Sequence, residues 1–249
     1  RGFNRVASVD GRVVVREIYS TRLQVAGALD RVNDVELDGS LWNLRFDRNG
    51  RNFGVSYVVN GIDPDFRTRS GFIGRPGIVN GRLIHRYALY APQGAFWQSF
   101  TPDVTLDGTW QYESFTRRGD MQDKKLHVNL NGVLRGGWGL GVSYLLESFG
   151  YDPALYAGYY VELPDGSGEV VRFTGTPRLP NHDWVLNVTT PEWKRFSGSL
   201  FYLWGQDENF FEWAPADIVY ATLVADWRPT DQLRVNAQYQ HQEFDRLAD

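Results

Sequence analysis

The sequence predicts an all-β chain, specifically an antiparallel up-and-down transmembrane β-barrel present as an incomplete fragment. Three observations carry the prediction. Apolar residues recur with a period of two, long polar connections alternate with short turns, and aromatic residues reach 15% although no apolar run is long enough to cross a bilayer as a helix.

Taken in chain order, residues 13–28 read as one strand with both faces partly apolar. Next, Trp42, Leu44 and Phe46 alternate with Asn43, Arg45 and Asp47. Strands follow over 53–59 and 82–90. Val104, Leu106, Trp110 and Tyr112 then stand opposite Thr105, Asp107, Thr109, Gln111 and Glu113. Leu126, Val128 and Leu130 interleave with His127, Asn129 and Asn131, while Trp138, Leu140, Val142, Tyr144 and Leu146 face away from Gly139, Gly141 and Ser143. Three more strands are predicted over 184–189, 197–204 and 218–227. The last has Leu233, Val235, Ala237 and Tyr239 on one side and Arg234, Asn236, Gln238 and Gln240 on the other. That makes roughly eleven strands, many long enough to cross a bilayer at a tilt, and no segment carries a helical stripe.

Short turns are expected at 48–50, 92–94, 134–137, 191–194 and 229–231, where Gly, Pro, Asn and Asp cluster. Long connections are expected at 31–39, 63–77, 115–123, 149–181 and 206–217. This is the rim asymmetry of an outer-membrane barrel, with short periplasmic turns and long extracellular loops. Between Tyr159 and Thr174, two strand-like pieces flank Pro164 to Gly168, and they are assigned to an extracellular hairpin outside the wall.

The bulk composition sets further bounds. A formal net charge of −4 and a mean hydropathy below zero resemble a water-soluble protein, yet a membrane barrel also keeps half its strand residues wet. The absence of cysteine removes disulfides, thiol nucleophiles and thiolate metal sites. Mixed charge argues against nucleic acid as a partner. No export signal precedes Arg1 and no aromatic residue ends the chain at Asp249, so residues 1–249 are expected to be part of one barrel domain whose N-terminal module and final strands lie beyond them.

The densest polar cluster, Asp63, Asp65, Arg67, Arg69 and Arg75, could bind a cation, a sugar or a phosphate. A structural role is the preferred reading, because Asp63 and Pro64 initiate a turn and the arginines can pair with nearby acids or with lipopolysaccharide phosphates. Asp120, Asp123, Asp207 and Glu208 match no ordered calcium loop. His85, His127, His182 and His241 are scattered, with no metal-ligand spacing. Ser143, Ser197 and Ser199 would need a histidine within reach to act as nucleophiles. Trp204, Phe210, Phe211 and Trp213 are read as part of an interfacial aromatic girdle rather than a sugar platform. No catalytic, cofactor or metal site is predicted, and the chain is not expected to be an enzyme.

The segment GVSYVVNGIDPDFRTRSGFIGR, from Gly54 to Arg75, follows Val9-Asp10-Gly11-Arg12 and Leu23-Gln24-Val25-Ala26-Gly27. Together these resemble the barrel of a bacterial family catalogued as domain of unknown function 5916. Its Gly-x-x-Tyr, Asp-Pro-x-Phe and Gly-Phe-x-x-Arg elements correspond to Gly54, Tyr57, Asp63, Pro64, Phe66, Gly71, Phe72 and Arg75. The resemblance implies a Gram-negative outer-membrane barrel, often preceded by a module similar to carbohydrate-binding-module family 9. The expected function is therefore a porin-like channel of unknown cargo or an anchor for such a module, in contact with outer-membrane lipid and lipopolysaccharide. The alternatives are a structural or interaction subunit bound to other envelope proteins and, on the relatives' module alone, a membrane-bound carbohydrate-processing enzyme.

Overall fold

A computed structural model describes residues 2–33, 35–71 and 73–247. Its elements run β1 (Phe3–Val15), β2 (Tyr19–Val32), β3 (Val35–Asn49), β4 (Phe53–Ile62), β5 (Ile78–Tyr87), β6 (Leu89–Tyr90), β7 (Trp97–Gln111), α1 (Tyr112–Thr116), β8 (Asp123–Leu134), β9 (Gly139–Gly150), β10 (Tyr160–Glu162), β11 (Val170–Arg172), β12 (Arg178–Thr189), β13 (Phe196–Asn209), β14 (Ala214–Trp227) and β15 (Val235–Arg246). The chain is all-β. One 13-stranded sheet has the order β1-β2-β3-β4-β5-β7-β8-β9-β12-β13-β14-β15, with the two-residue β6 attached to β7. Every neighbouring pair is antiparallel, so the sheet is a meander. No ladder joins β1 to β15 among the described residues, which leaves each with a free edge.

Several boundaries depart from the sequence expectation. Residues 13–28 are not one strand: the chain reverses at Arg16 and Glu17, both with positive φ (50° and 60°), and β1 and β2 pair on either side. This accounts for the extra strand in the wall. The expected long loop at 31–39 is also absent. There β2 and β3 pair as far as Val32 and Val35, and Asn33 takes a positive φ of 49°. Likewise β13 and β14 extend to Asn209 and Ala214, shortening the expected loop at 206–217 to four residues. In each case the antiparallel ladder satisfies backbone groups that a loop would leave to water, so pairing continues to the tightest turn the backbone tolerates. Tyr112 leaves the strand to start α1, and the last strand begins at Val235 rather than Leu233.

Three long connections remain, over 63–77, 112–122 and 151–177, and all lie at the same end of the sheet. The third contains the separate hairpin β10-β11. The opposite end carries the reversals at 16–18, 50–52, 135–138, 190–195 and 228–234, together with the longer connection 88–96 that holds β6.

Strand alternation divides the sheet into two chemically different faces. One carries Leu23, Val25, Leu44, Leu83, Val104, Leu106, Leu126, Val128, Leu140, Val142, Leu146, Leu200 and Leu223. The register places these on one side, and most are exposed, Leu23 by 52% and Leu106 by 48%. Among the described residues no second sheet or long helix packs over them. A sandwich would bury such a face; in this fold it is bare.

The buried clusters lie instead on the other face, at the end with the long connections. Phe66 packs with Ala26 and Ala28, with Leu41, Ile62 and Ile73 beside it. Phe149, Tyr156, Leu179 and Trp213 form a second cluster, flanked by Tyr151 and Phe173. Loops 63–77 and 151–177 therefore fold over the polar side of the sheet. Loop 112–122 goes the other way, setting Phe115 against Trp42 and Trp110 on the apolar side (ring centroids 6.1 and 5.5 Å).

Candidate functional surface on the polar face

The polar face is organised by register. Directly opposed partners form one lateral row across the sheet: Arg12, Arg22, Arg45, Val58, Arg82, Asp107, Lys125, Glu147 and Asn181. Basic residues dominate its β1–β5 part, and carboxylates enter from β7 onward.

Ion pairs hold parts of this surface in place. Arg45 Nε donates to Asp47 Oδ2 at 2.7 Å, and Ser56 donates to the other oxygen of the same carboxylate. Arg82 Nε reaches Asp107 Oδ2 at 2.6 Å while Asn80 donates to Asp107 Oδ1. Asn129 donates to Asp103. Glu147 accepts from Lys125 at 3.3 Å and from His127 at 2.5 Å. Charge-assisted bonds of this kind are the stronger ones in proteins, and their exposed arginine ends lower their net worth.

Further round, Asn181 Nδ2 donates to both Asp207 and Glu208. Asp183 lies beside them, 2% exposed, with its Oδ1 lacking a hydrogen-bond partner; the Oδ1 of Asn181 is in the same state. Asp183, Asp207 and Glu208 have no ion-pair partner among the described residues. Gly205, with φ of +151°, lets Asp183 approach: a Cβ there would lie 2.3 Å from the His182 carbonyl and 2.6 Å from Asp183 Oδ1.

The motif loop is a strap. The Asp65 amide donates to Asp63 Oδ1 at 2.8 Å and the Phe66 amide to the Asp63 carbonyl, which makes the turn expected of Asp-Pro. Phe66 is buried, Arg69 pairs with Asp30 at 2.9 Å and Arg75 reaches Asp152 at 3.7 Å, tying the strap to the wall and to the neighbouring loop. The Gly71 carbonyl accepts from Thr68. Phe72 lies outside the described residues.

Other candidates are dispersed. His127 lies on the polar face, while His85 is on the apolar one, bonded to the Tyr57 hydroxyl at 2.7 Å. No serine is hydrogen-bonded to a histidine among the described residues, and no group of three or more His, Asp or Glu side chains there has metal-holding geometry. Trp204 lies on the apolar face as expected of a girdle, but Trp213 does not. It is buried, donates from Nε1 to the Thr176 carbonyl at 2.7 Å and stacks edge-on with Tyr151 and Tyr156. Tyr156 donates to the Phe210 carbonyl at 2.6 Å, and burial pushes its hydroxyl above the ordinary tyrosine range. In the β10-β11 hairpin, the Ser167 hydroxyl holds the Asp165 carboxyl below its usual range.

The apolar face carries its own signature. Tyr19, Phe46 and Tyr57 run together toward the short-turn end, with Phe53 and Tyr87 beside them and Trp138, Trp193 and Phe196 farther along. Trp42, Trp110 and Phe115 mark the long-loop end. No helix among the described residues is long and apolar enough to cross a membrane. No family model matches the chain, and neither a curated protein nor a solved structure matches it.

Proposed function

We propose that the chain is the wall of an outer-membrane β-barrel, acting as a channel or as the membrane anchor of a larger protein. One observation carries this reading: a meander of long strands whose apolar face, apart from loop 112–122 at one end, is left exposed, while its opposite face carries a row of charged and amide side chains across most of the sheet. In water, each Leu or Val left half-exposed forgoes a good part of the roughly 1.5–3 kcal/mol that burial contributes. Summed over the sheet, that face is far larger than the few hundred Å² a soluble monomer tolerates. Acyl chains would cover it without any protein layer, and the wet face would then turn toward a lumen.

Strands of 10–15 residues meet or exceed the roughly 9–11 that a tilted bilayer crossing needs. The aromatic residues near both ends of the apolar face would lie at the headgroups. Loops 63–77 and 151–177 fold over the polar side and would narrow the mouth. Reconstitution of the full-length protein in planar bilayers tests the channel reading: stepwise conductance is expected, insertion without conductance leaves the anchor role, and a protein that remains in the aqueous phase overturns both.

A second reading, as an interaction subunit of an envelope assembly, is favoured by the free edges of β1 and β15, which leave backbone donors and acceptors open to another strand. Partners recovered from native membranes in fixed proportion would support it.

A further inference from the structure

On the apolar face near the long-loop end lies a groove of about 590 Å³. Its origin is a gap in the side-chain pattern. Gly81 and Gly108 are direct cross-strand partners on β5 and β7, so two adjacent positions on this face have no side chain. The Trp110 ring leans across both, and Leu83, Leu106, Leu126 and Leu146 wall the groove toward the middle of the sheet.

The groove has one charged end. Lys124, the partner of Gly108 on β8, lines it and forms no hydrogen bond or ion pair among the described residues. Ser148, the partner of Lys124 on β9, is next along the row. Arg178 donates to the Ser148 hydroxyl at 3.1 Å and to the Met121 carbonyl and forms no close ion pair among the described residues, with the Asp123 carboxyl farther off. The arrangement is thus a largely apolar groove, edged by the backbone stretches of Asp107, Lys125 and Glu147, with Lys124 and Ser148 lining one end and Arg178 just beyond it, bonded to the Ser148 hydroxyl, on the side where loops leave the sheet.

We propose that this groove seats one acyl chain of an anionic membrane lipid, with the lipid's phosphate held by Lys124 and Arg178. The proposal rests on the reading that the apolar face meets the bilayer. Charge complementarity selects the occupant: a free fatty tail would leave both cations unmatched, and a zwitterionic headgroup would bring its own cation to the same place. Phosphate is the anion that best uses an ammonium and a guanidinium together.

The test uses the full-length protein in vesicles doped with lipids carrying brominated acyl chains, which quench tryptophan on contact. Trp110 is the reporter, isolated by subtracting the signal of a Trp110→Phe variant. At equal doping, brominated phosphatidylglycerol should quench the Trp110 signal more strongly than brominated phosphatidylcholine, as a local enrichment of about fivefold would produce. Lys124→Gln should remove the difference, and Gly81→Leu, which fills the groove without backbone collision, should weaken both signals. Equal quenching by the two lipids in the unmodified protein overturns the proposal, as does an anionic preference unchanged by Lys124→Gln. Failure of the barrel reading looks different: no tryptophan would then be quenched by either lipid.

Discussion

Phe66 lies so close to Gly39 that a Cβ added at Gly39 would be 2.2 Å from the Phe66 backbone nitrogen. The contact joins the loop after β4 to the start of β3, and it explains how the Asp63–Arg75 strap seats on the polar side. Phe66 is 3% exposed, against Ala26 and Ala28, whose small side chains leave room for the ring.

Gly39→Val should therefore unseat the strap, and Phe66→Ala should loosen it by removing the ring. A buried Phe truncated to Ala costs about 3–5 kcal/mol, so local opening of the loop should become at least about a hundredfold more frequent. Limited trypsin digestion at Arg67 and Arg69 measures this. Faster cleavage there with the rest of the sheet resistant is the expected result; unchanged cleavage would show that the strap is held by the Arg69–Asp30 and Arg75–Asp152 pairs instead.

The Arg16-Glu17 reversal invites the opposite kind of change. Both residues have positive φ, a region that Asn and Gly occupy at much lower cost. Replacing the pair by Asn-Gly should stabilise the β1-β2 hairpin by about 1 kcal/mol. A shift of the denaturation midpoint to higher urea in lipid-reconstituted protein checks it. A neutral or adverse shift would mean that these side chains contribute contacts of their own.

What the sequence reveals depends on where the information lies. Alternation over 138–146 and 233–240 is local, and it marks strands there because one face of each is uniformly apolar. The Arg16-Glu17 reversal carries no Gly, Pro, Asn or Asp, so nothing local announces it; the ladder on either side forces the turn. The connections at 31–39 and 206–217 look like loops because of their polar residues, yet Glu36, Asp38, Asp207 and Glu208 are strand residues, and Glu208 is buried. Asn181 and Asp207 meet only because β12 and β13 pair in one particular register, and no spacing in the sequence encodes that contact. The girdle reading failed for Trp213 because ring chemistry does not say which side of a sheet a loop will cross.

Gly205 tests that register directly. Its φ of +151° and the 2.3 Å approach to the His182 carbonyl mean that any side chain must push β12 and β13 apart. Gly205→Ala should destabilise the sheet by about 3 kcal/mol, combining backbone strain with overpacking. The readout is the temperature at which the folded, fast-migrating form is lost on an unboiled gel. A loss temperature equal to that of the unmodified protein would show that the strand pair relaxes without cost.

The polar row makes a signed prediction for the channel reading. Glu147 offsets Lys125 and His127, while Arg82 offsets Asp107. Glu147→Gln removes a negative charge and leaves Lys125 unmatched, so permeability should shift toward anions. Arg82→Gln leaves Asp107 unmatched, and permeability should shift toward cations. For an ion passing ~7 Å away in water, one unit charge contributes about 0.6 kcal/mol, which raises one ion type about threefold and lowers the other about threefold at that point, or about sevenfold or more in the cation-to-anion ratio. Reversal potentials under a salt gradient should thus move in opposite directions for the two variants, with the shifts shrinking at high salt as screening takes over. If both variants conduct with an unchanged reversal potential, ions do not pass along this face, and the lumen must be lined by something other than the Arg45-to-Asn181 row.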